Sequence, residues 1–203
     1  MDYKSRNIAV YSGSFNPLHI GHLAVIRHMI EVAGFDMVYL IVSPKNPLKD
    51  GISSDSGRER YMAAVEAVER RFPHSGPGRH DSKAVEARVK VDDIELNMPE
   101  PHYTIRTLDA LKEREPENRF TLVMGADNLA DIRRWRDYTR ILKEYAVAVF
   151  PREGHDLTEI KQDLMKEDPA YRIQILDADM VSISSTQIRS AITVGEDISR
   201  YLM

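Results

Sequence analysis

Short apolar runs alternate with helix-like stretches along almost the whole of this 203-residue chain. No other feature narrows its possible folds so far. Ile8–Tyr11, Met37–Val42, Phe120–Met124, Ala146–Phe150 and Arg172–Leu176 are rich in Val, Ile, Leu and aromatic residues, as parallel strands buried on both faces tend to be. Helical candidates lie between them at His22–Val32, Arg58–Arg71, Ile105–Arg114, within Leu129–Glu144, and at Leu157–Lys166. Asp156 with Glu159 three residues on makes a capping-box-like start for the last of these. V-K-V-D-D-I-E-L, Val89–Leu96, alternates only in part and reads as a strand at a sheet edge. This order predicts βαβ units with right-handed crossovers.

The expected fold is therefore α/β: a Rossmann-like, doubly wound, mostly parallel sheet with helices on both faces. No repeat, heptad or linker divides the chain, so residues 1–203 read as one domain. Pro73–Lys83, with two prolines, two glycines and few apolar groups, reads as a mobile surface loop. A net charge of -4 disfavours broad nucleic-acid binding. The absence of cysteine removes disulfides and thiolate metal sites. No apolar run approaches the ~20 residues of a membrane span, and M-D-Y-K-S-R-N lacks the apolar core of a signal peptide. The expectation is a cytoplasmic protein without a membrane or nucleic-acid partner.

In such sheets ligands bind outside the carboxyl ends of the strands, and five polar, turn-forming segments fall there. The most informative is G-S-F-N-P-L-H-I-G-H, Gly13–His22, between the first strand and the first helix. Gly13 permits a tight turn and a close approach to a ligand. His19 and His22, at i and i+3, share a face of the first helical turn, where unpaired N–H groups favour anions. Either the pair grips a phosphoryl group, or the two are structural histidines that cap the helix; a zinc pair would need further ligands, and no matching spacing supplies them. H-I-G-H also occurs in class I aminoacyl-tRNA synthetases, but this chain has no lysine-rich K-M-S-K-S-like loop. Ser184-Ser185-Thr186 before Gln187-Ile188-Arg189 reads as a helix cap whose N–H groups, hydroxyls and arginine can hold phosphate, or as a plain cap beside a surface arginine. No P-loop or G-x-G-x-x-G fingerprint is present.

Taken together, G-S-F-N-P-L-H-I-G-H and I-S-S-T-Q-I-R resemble the paired signatures of the nucleotidyltransferase superfamily, G-[ST]-F-D-P-x-H-x-G-H and I-S-S-T-x-x-R. R-Y-M at Arg60–Met62, P-H-Y-T-I-R-T-L at Pro101–Leu108, G-A-D-N-L with W at Gly125–Trp135, and the arginine of P-R-E-G extend the resemblance to the bacterial nicotinate-nucleotide adenylyltransferase family. What the resemblance implies is transfer of AMP from ATP to nicotinate mononucleotide, by direct attack of the acceptor phosphate on the α-phosphorus. It implies His19, His22 and Arg189 as catalytic residues. Gly13, Ser14, Phe15, Asp127, Ser184, Ser185 and Thr186 would bind ATP. Asn46, Lys49, Tyr103, Thr104, Trp135 and Arg152 would bind the mononucleotide. Mg²⁺ would ride on the ATP phosphates without a protein ligand. The partners are ATP and the mononucleotide, and the state is left open between monomer and homo-oligomer.

Two positions depart from the family pattern: Leu48 stands in place of a histidine in N-P-L-K, and Asn16 in place of an aspartate. Trp135 reads either as core filler or as a stacking platform, and Arg133, Arg134 and Arg136 as a solvated helix face. Tyr103 reads either as a pocket residue or as a staple at a helix entry. The alternatives are a phosphopantetheine or nicotinamide-mononucleotide adenylyltransferase, or a non-catalytic nucleotide-sensing module.

Overall fold

β1 (Asn7–Gly13) hydrogen-bonds in parallel to β2 (Met37–Val42) on one side and to β4 (Arg119–Gly125) on the other. β3 (Val89–Asp92) continues beyond β2, and β5 (Val147–Phe150) and β6 (Ile173–Ile175) beyond β4. The six parallel strands run in the order β3-β2-β1-β4-β5-β6, so the winding reverses between β1 and β4. The computed structural model describes residues 5–44, 57–72, 88–178 and 185–203.

The two-residue period of the strands divides the core into two layers. Ile8, Val10, Ile41, Leu122, Met124, Val147 and Val149 face one side. There they meet Ile105, Leu108 and Leu111 of α3 (Thr104–Arg114), Ala126 and Leu129 of α4 (Ala126–Ala130), and Leu157 and Leu164 of α6 (Leu157–Glu167). Ala9, Tyr11, Leu40, Val42, Val123, Ala148 and Phe150 face the other side. They meet Leu23, Ile26 and Met29 of α1 (Ile20–Glu31) and Ala64, Ala67 and Val68 of α2 (Gly57–Arg71). Strands buried on both faces explain why the sequence shows continuous apolar runs rather than alternation. The doubly wound expectation is met, and all six strands are parallel.

Two expected elements differ. The strand expected over Val89–Leu96 ends at Asp92, because the Asp92 carboxylate accepts the Ile94 N–H at 3.1 Å and turns the chain into a 3₁₀ segment, Ile94–Asn97. The helical stretch within Leu129–Glu144 is broken. After α4 come a 3₁₀ turn (Ile132–Arg134), extended Trp135, left-handed Asp137 (φ 52°), the single turn α5 (Tyr138–Arg140) and a π-turn, Ile141–Tyr145. R-R-W-R-D offers no apolar stripe to hold a helix against the sheet, and aspartate tolerates the left-handed region better than most residues. The loop expected at Pro73–Lys83 lies outside the described residues.

Asp92 also ties β3 to α3. It is buried, and accepts both terminal nitrogens of Arg114 at 2.6 and 3.1 Å, with Lys90 Nζ 2.9 Å away. Burial alone would raise its carboxyl, but the bonds from Arg114 and Lys90 outweigh burial and hold it below the ordinary value. Such a group contributes stability that is present above the unfolded carboxyl range and lost as pH falls through the lower folded value. Asp92→Asn is therefore expected to cost about 2–3 kcal/mol at neutral pH. Urea unfolding should show the gap from the parent closing below about pH 4.

Candidate active site

The carboxyl ends of β1 and β4 lie side by side at the point where the winding reverses, and the chain leaves each through a glycine, Gly13 and Gly125. The first exit is wedge-shaped. Phe15 holds a left-handed backbone (φ 43°), and its buried ring stands edge-on to Tyr11 at 5.5 Å and to His22 at 5.2 Å. A Cβ on Gly13 would meet that ring at 3.2 Å. Gly13 thus makes room for Phe15, a different need from the close ligand approach expected of it. Phe15 turns inward, so what it can offer a ligand is backbone.

His19 and His22 cap α1 reciprocally. His19 is the N-cap, in extended conformation, and its Nδ1 accepts the Gly21 N–H at 3.2 Å. His22 Nδ1 accepts the His19 N–H, also at 3.2 Å. With both Nδ1 atoms used as acceptors, each neutral ring carries its proton on Nε2. The rings lie nearly stacked, centroids 3.7 Å apart. Burial, followed by the positive charge of Arg152, lowers the His19 pKa to about 4. Burial, then His19, then Arg152 lowers His22 well below the usual histidine range. The site holds two neutral Nε2–H donors rather than imidazolium ions. Capping and phosphate gripping, set apart as alternatives on the sequence, are compatible here: Nδ1 caps while Nε2–H remains to donate.

At the second exit, a Cβ on Gly125 would collide with the Asp127 carboxylate and come within 3.2 Å of Arg152 Nε. Arg152, just past β5, stands 3.9 Å from Asp127 and packs its guanidinium over the Phe150 ring at 5.1 Å. Its influence on both histidines places this cation near the pair that caps α1.

α7 (Ser185–Thr193) returns to the same loop. Arg189 donates to the Asn16 carbonyl at 2.8 Å and to the Thr186 hydroxyl at 3.0 Å, and Ser185 Oγ donates to the Pro17 carbonyl at 3.3 Å. More than 160 residues of chain separate these partners. The structure thereby brings together Gly13, Ser14, Phe15, His19, His22, Ser185, Thr186 and Arg189, with Asp127 and Arg152 on the neighbouring strand ends. Asn46, Lys49, Leu48 and Ser184 lie outside the described residues.

Thr104 opens α3, the crossover from β3 to β4, so it too sits at the carboxyl rim. The N-cap Tyr103 makes no side-chain capping bond. Tyr103 and Trp135 are half-buried against the α3 side of the core. Trp135 is therefore packed on one side and open on the other. Of the three arginines around it, Arg133 pairs with Glu167, Arg134 with Asp131 and Arg136 with Asp137.

One residue of this site carried no expected role. Arg60 is buried, and its guanidinium donates to the Ser14 carbonyl at 2.9 Å, the Ser43 carbonyl at 2.8 Å and the Pro44 carbonyl at 2.8 Å. It fastens the β1–α1 loop to the end of β2. Its signal was available: Arg60 begins the stripe continued by Ala64, Ala67 and Val68, the buried face of α2, where a charge has to find partners.

Among the described residues, no group of three or more His, Asp or Glu gathers as a metal cluster. Residues 10–191 match the cytidylyltransferase-like family. A Flavobacterium johnsoniae protein named "Probable nicotinate-nucleotide adenylyltransferase" is 35% identical over 96% of this chain and 91% of its own length. A Porphyromonas gingivalis protein of the same name is 36% identical over 95% of this chain and 87% of its own. The solved nicotinic acid mononucleotide adenylyltransferase of Plasmodium falciparum, complexed with NaAD, superposes with a TM-score of 0.73 at 21% identity, covering 97% of this chain and 90% of that one. At that identity the likeness is one of fold.

The depressed imidazoles predict a measurable titration. His19 should stay neutral until pH approaches about 4, read by its imidazole NMR shifts. Because unfolding restores a pKa near 6.5, the unfolded chain takes up these protons first, and stability should decline as pH falls from about 6.5 toward 4. A His19 midpoint near 6.5 would contradict the buried, reciprocally capped pair.

Proposed function

We infer the reaction from one premise: the chain belongs to the cytidylyltransferase-like family and, within it, to the nicotinate-nucleotide adenylyltransferases. It transfers AMP from ATP to nicotinate mononucleotide, giving the deamido dinucleotide and pyrophosphate, a step of NAD biosynthesis. The observation that carries this reading is the docking of α7 on the β1–α1 loop through Arg189 and Ser185. It sets a helix start and an arginine beside the two imidazole donors, as a polyphosphate requires.

The mononucleotide phosphate oxygen forms a bond to the α-phosphorus of ATP while the bond to the bridging α–β oxygen breaks, and pyrophosphate leaves with that electron pair. The nucleophile is already anionic, so no general base is needed. The protein's task is alignment and stabilisation of charge. Neutral His19 and His22 donate through Nε2–H to the oxygens on which charge grows. Arg189, Thr186 and Ser185 hold the leaving phosphates, and Arg152 with Asp127 orients the acceptor phosphate and ribose. Mg²⁺ fits this site as an ion carried by the phosphates, since the Asp127 carboxylate is half-exposed and engaged with Arg152, and no metal-holding cluster gathers among the described residues. When bound, it neutralises charge on the departing pyrophosphate. The start of α3 at Thr104, whose N-cap Tyr103 makes no side-chain capping bond, supplies backbone N–H to the nicotinate carboxylate. Trp135 flanks the pyridine ring. No helix among the described residues is long and apolar enough to cross a membrane, and a cytoplasmic location is part of the same proposal.

Pyrophosphate release from ATP with each acceptor offered separately tests the reading. A site of backbone donors accepts a carboxylate but opposes the amide NH₂, itself a donor. The kcat/KM for nicotinate over nicotinamide mononucleotide should therefore differ by ~10⁴ or more, and near-equal values would overturn the assignment. His22→Ala should lower kcat by on the order of 10²–10³ with an unchanged fold. Arg189→Lys should raise the KM for ATP more than that for the mononucleotide, because lysine cannot reproduce the planar donor fork.

A further inference from the structure

The start of α3 is held from beneath by a buried carboxylate that the transfer chemistry does not use. Glu95, in the 3₁₀ turn after β3, is 3% exposed, and its Oε1 accepts the buried Thr107 hydroxyl at 2.8 Å. Thr107 lies in the first turn of α3. The Ser43 hydroxyl, at the end of β2, is also within reach of the carboxylate. His102 is 8% exposed and immediately precedes Tyr103, the N-cap of α3. Glu95 Oε2 and His102 Nδ1 are both buried without a hydrogen-bond partner among the described residues.

A buried acid is costly, and two unpaired polar atoms beside it add to the cost. Core packing alone would be served better by apolar side chains of the same volume. The carboxylate instead joins two separate parts of the rim, the end of β2 and the first turn of α3. We propose that Glu95 is a positioning residue for the acceptor nucleotide: through Thr107 it sets the uncapped start of α3 at the height needed to receive the acceptor's carboxylate. The inference rests on the adenylyl-transfer reading above.

The ATP side meets this network at Ser43 but is fastened through backbone bonds that do not involve Glu95. Arg60 holds the Ser14, Ser43 and Pro44 carbonyls, and the Ser43 N–H donates to the Gly13 carbonyl at 2.9 Å. Loosening Glu95 therefore moves α3 while the phosphate loop stays in place, and the two substrates should respond differently.

Steady-state kinetics on Thr107→Val, Thr107→Ser and Glu95→Gln, with ATP and nicotinate mononucleotide varied in turn, read this difference. Thr107→Val keeps the side-chain shape but removes the donor. It is expected to raise the KM for the mononucleotide on the order of tenfold, with the KM for ATP within about twofold of the parent. Thr107→Ser, which keeps the hydroxyl, should return the parent values. Glu95→Gln keeps the volume and should shift the mononucleotide KM in the same direction; it carries the test if Thr107→Val does not fold. Equal rises in both KM values, or a lowered melting temperature with both KM values unchanged, would overturn the proposal. A parent enzyme that releases no pyrophosphate with nicotinate mononucleotide would instead overturn the reaction assignment, before any variant is compared.

Discussion

The rest of the site depends on the two imidazoles that cap α1. Each Nδ1 satisfies a backbone N–H that the helix start would otherwise leave unpaired. That single requirement fixes the loop conformation, both tautomers and the direction of both Nε2–H bonds. Spacing matters as much as residue type. A histidine at the cap and another three residues on is the only placement that closes the box in both directions, with the reciprocal role usually taken by Glu or Gln. Glutamate there would close the box with a negative charge facing a polyphosphate; imidazole closes it and keeps a donor to spare. The left-handed Phe15 and the missing Cβ at Gly13 follow, because the ring that packs against His22 needs the space.

Around that box, the site is drawn together by long-range bonds to backbone carbonyls rather than by contacts between functional side chains. Arg60 reaches the Ser14 carbonyl from α2, and Arg189 the Asn16 carbonyl from α7. The β1–α1 loop is thus held from both sides by guanidinium groups at its carbonyl oxygens. The His19–Leu202 bridge adds a third restraint from the last residues of the chain. A loop whose carbonyls are fixed in this way is held in one conformation, so little reorganisation is left to oppose the transfer step.

The strands were legible because burial on both faces writes itself as uninterrupted apolar runs, and the five such runs fall on β1, β2, β4, β5 and β6. β3 was read too long because Ile94 and Leu96 continue an apolar pattern, whereas Asp92 ends the strand through a side-chain bond that no periodicity reports. The region after α4 was read as helix from composition, while its course is set by Asp137 and Ala146 in positive φ. In the site, His19, His22, Ser185 and Arg189 were legible through their motifs. Arg60 and Glu95 were not assigned roles, since each acts on backbone or on another buried group far away in sequence. Gly13 was singled out for a tight turn and a close ligand approach, and the structure adds a need the sequence did not announce, room for the Phe15 ring.

Electrostatics then divide the labour among the side chains. Two imidazolium ions with ring centroids 3.7 Å apart would repel by about 4 kcal/mol even at an effective dielectric of about 20. Burial and Arg152 oppose the first proton as well. The histidines therefore cannot serve as the site's positive charges, and their contribution is directional. Fixed charge comes from the guanidinium groups of Arg152 and Arg189. In the proposed reaction Arg152 would perform two tasks: it would attract the anionic acceptor, and it adds to the burial that keeps the adjacent imidazoles neutral, so that their Nδ1 atoms go on accepting the bonds that cap α1. Removing that cation would weaken acceptor binding and would also relax the constraint on which the histidine tautomers depend.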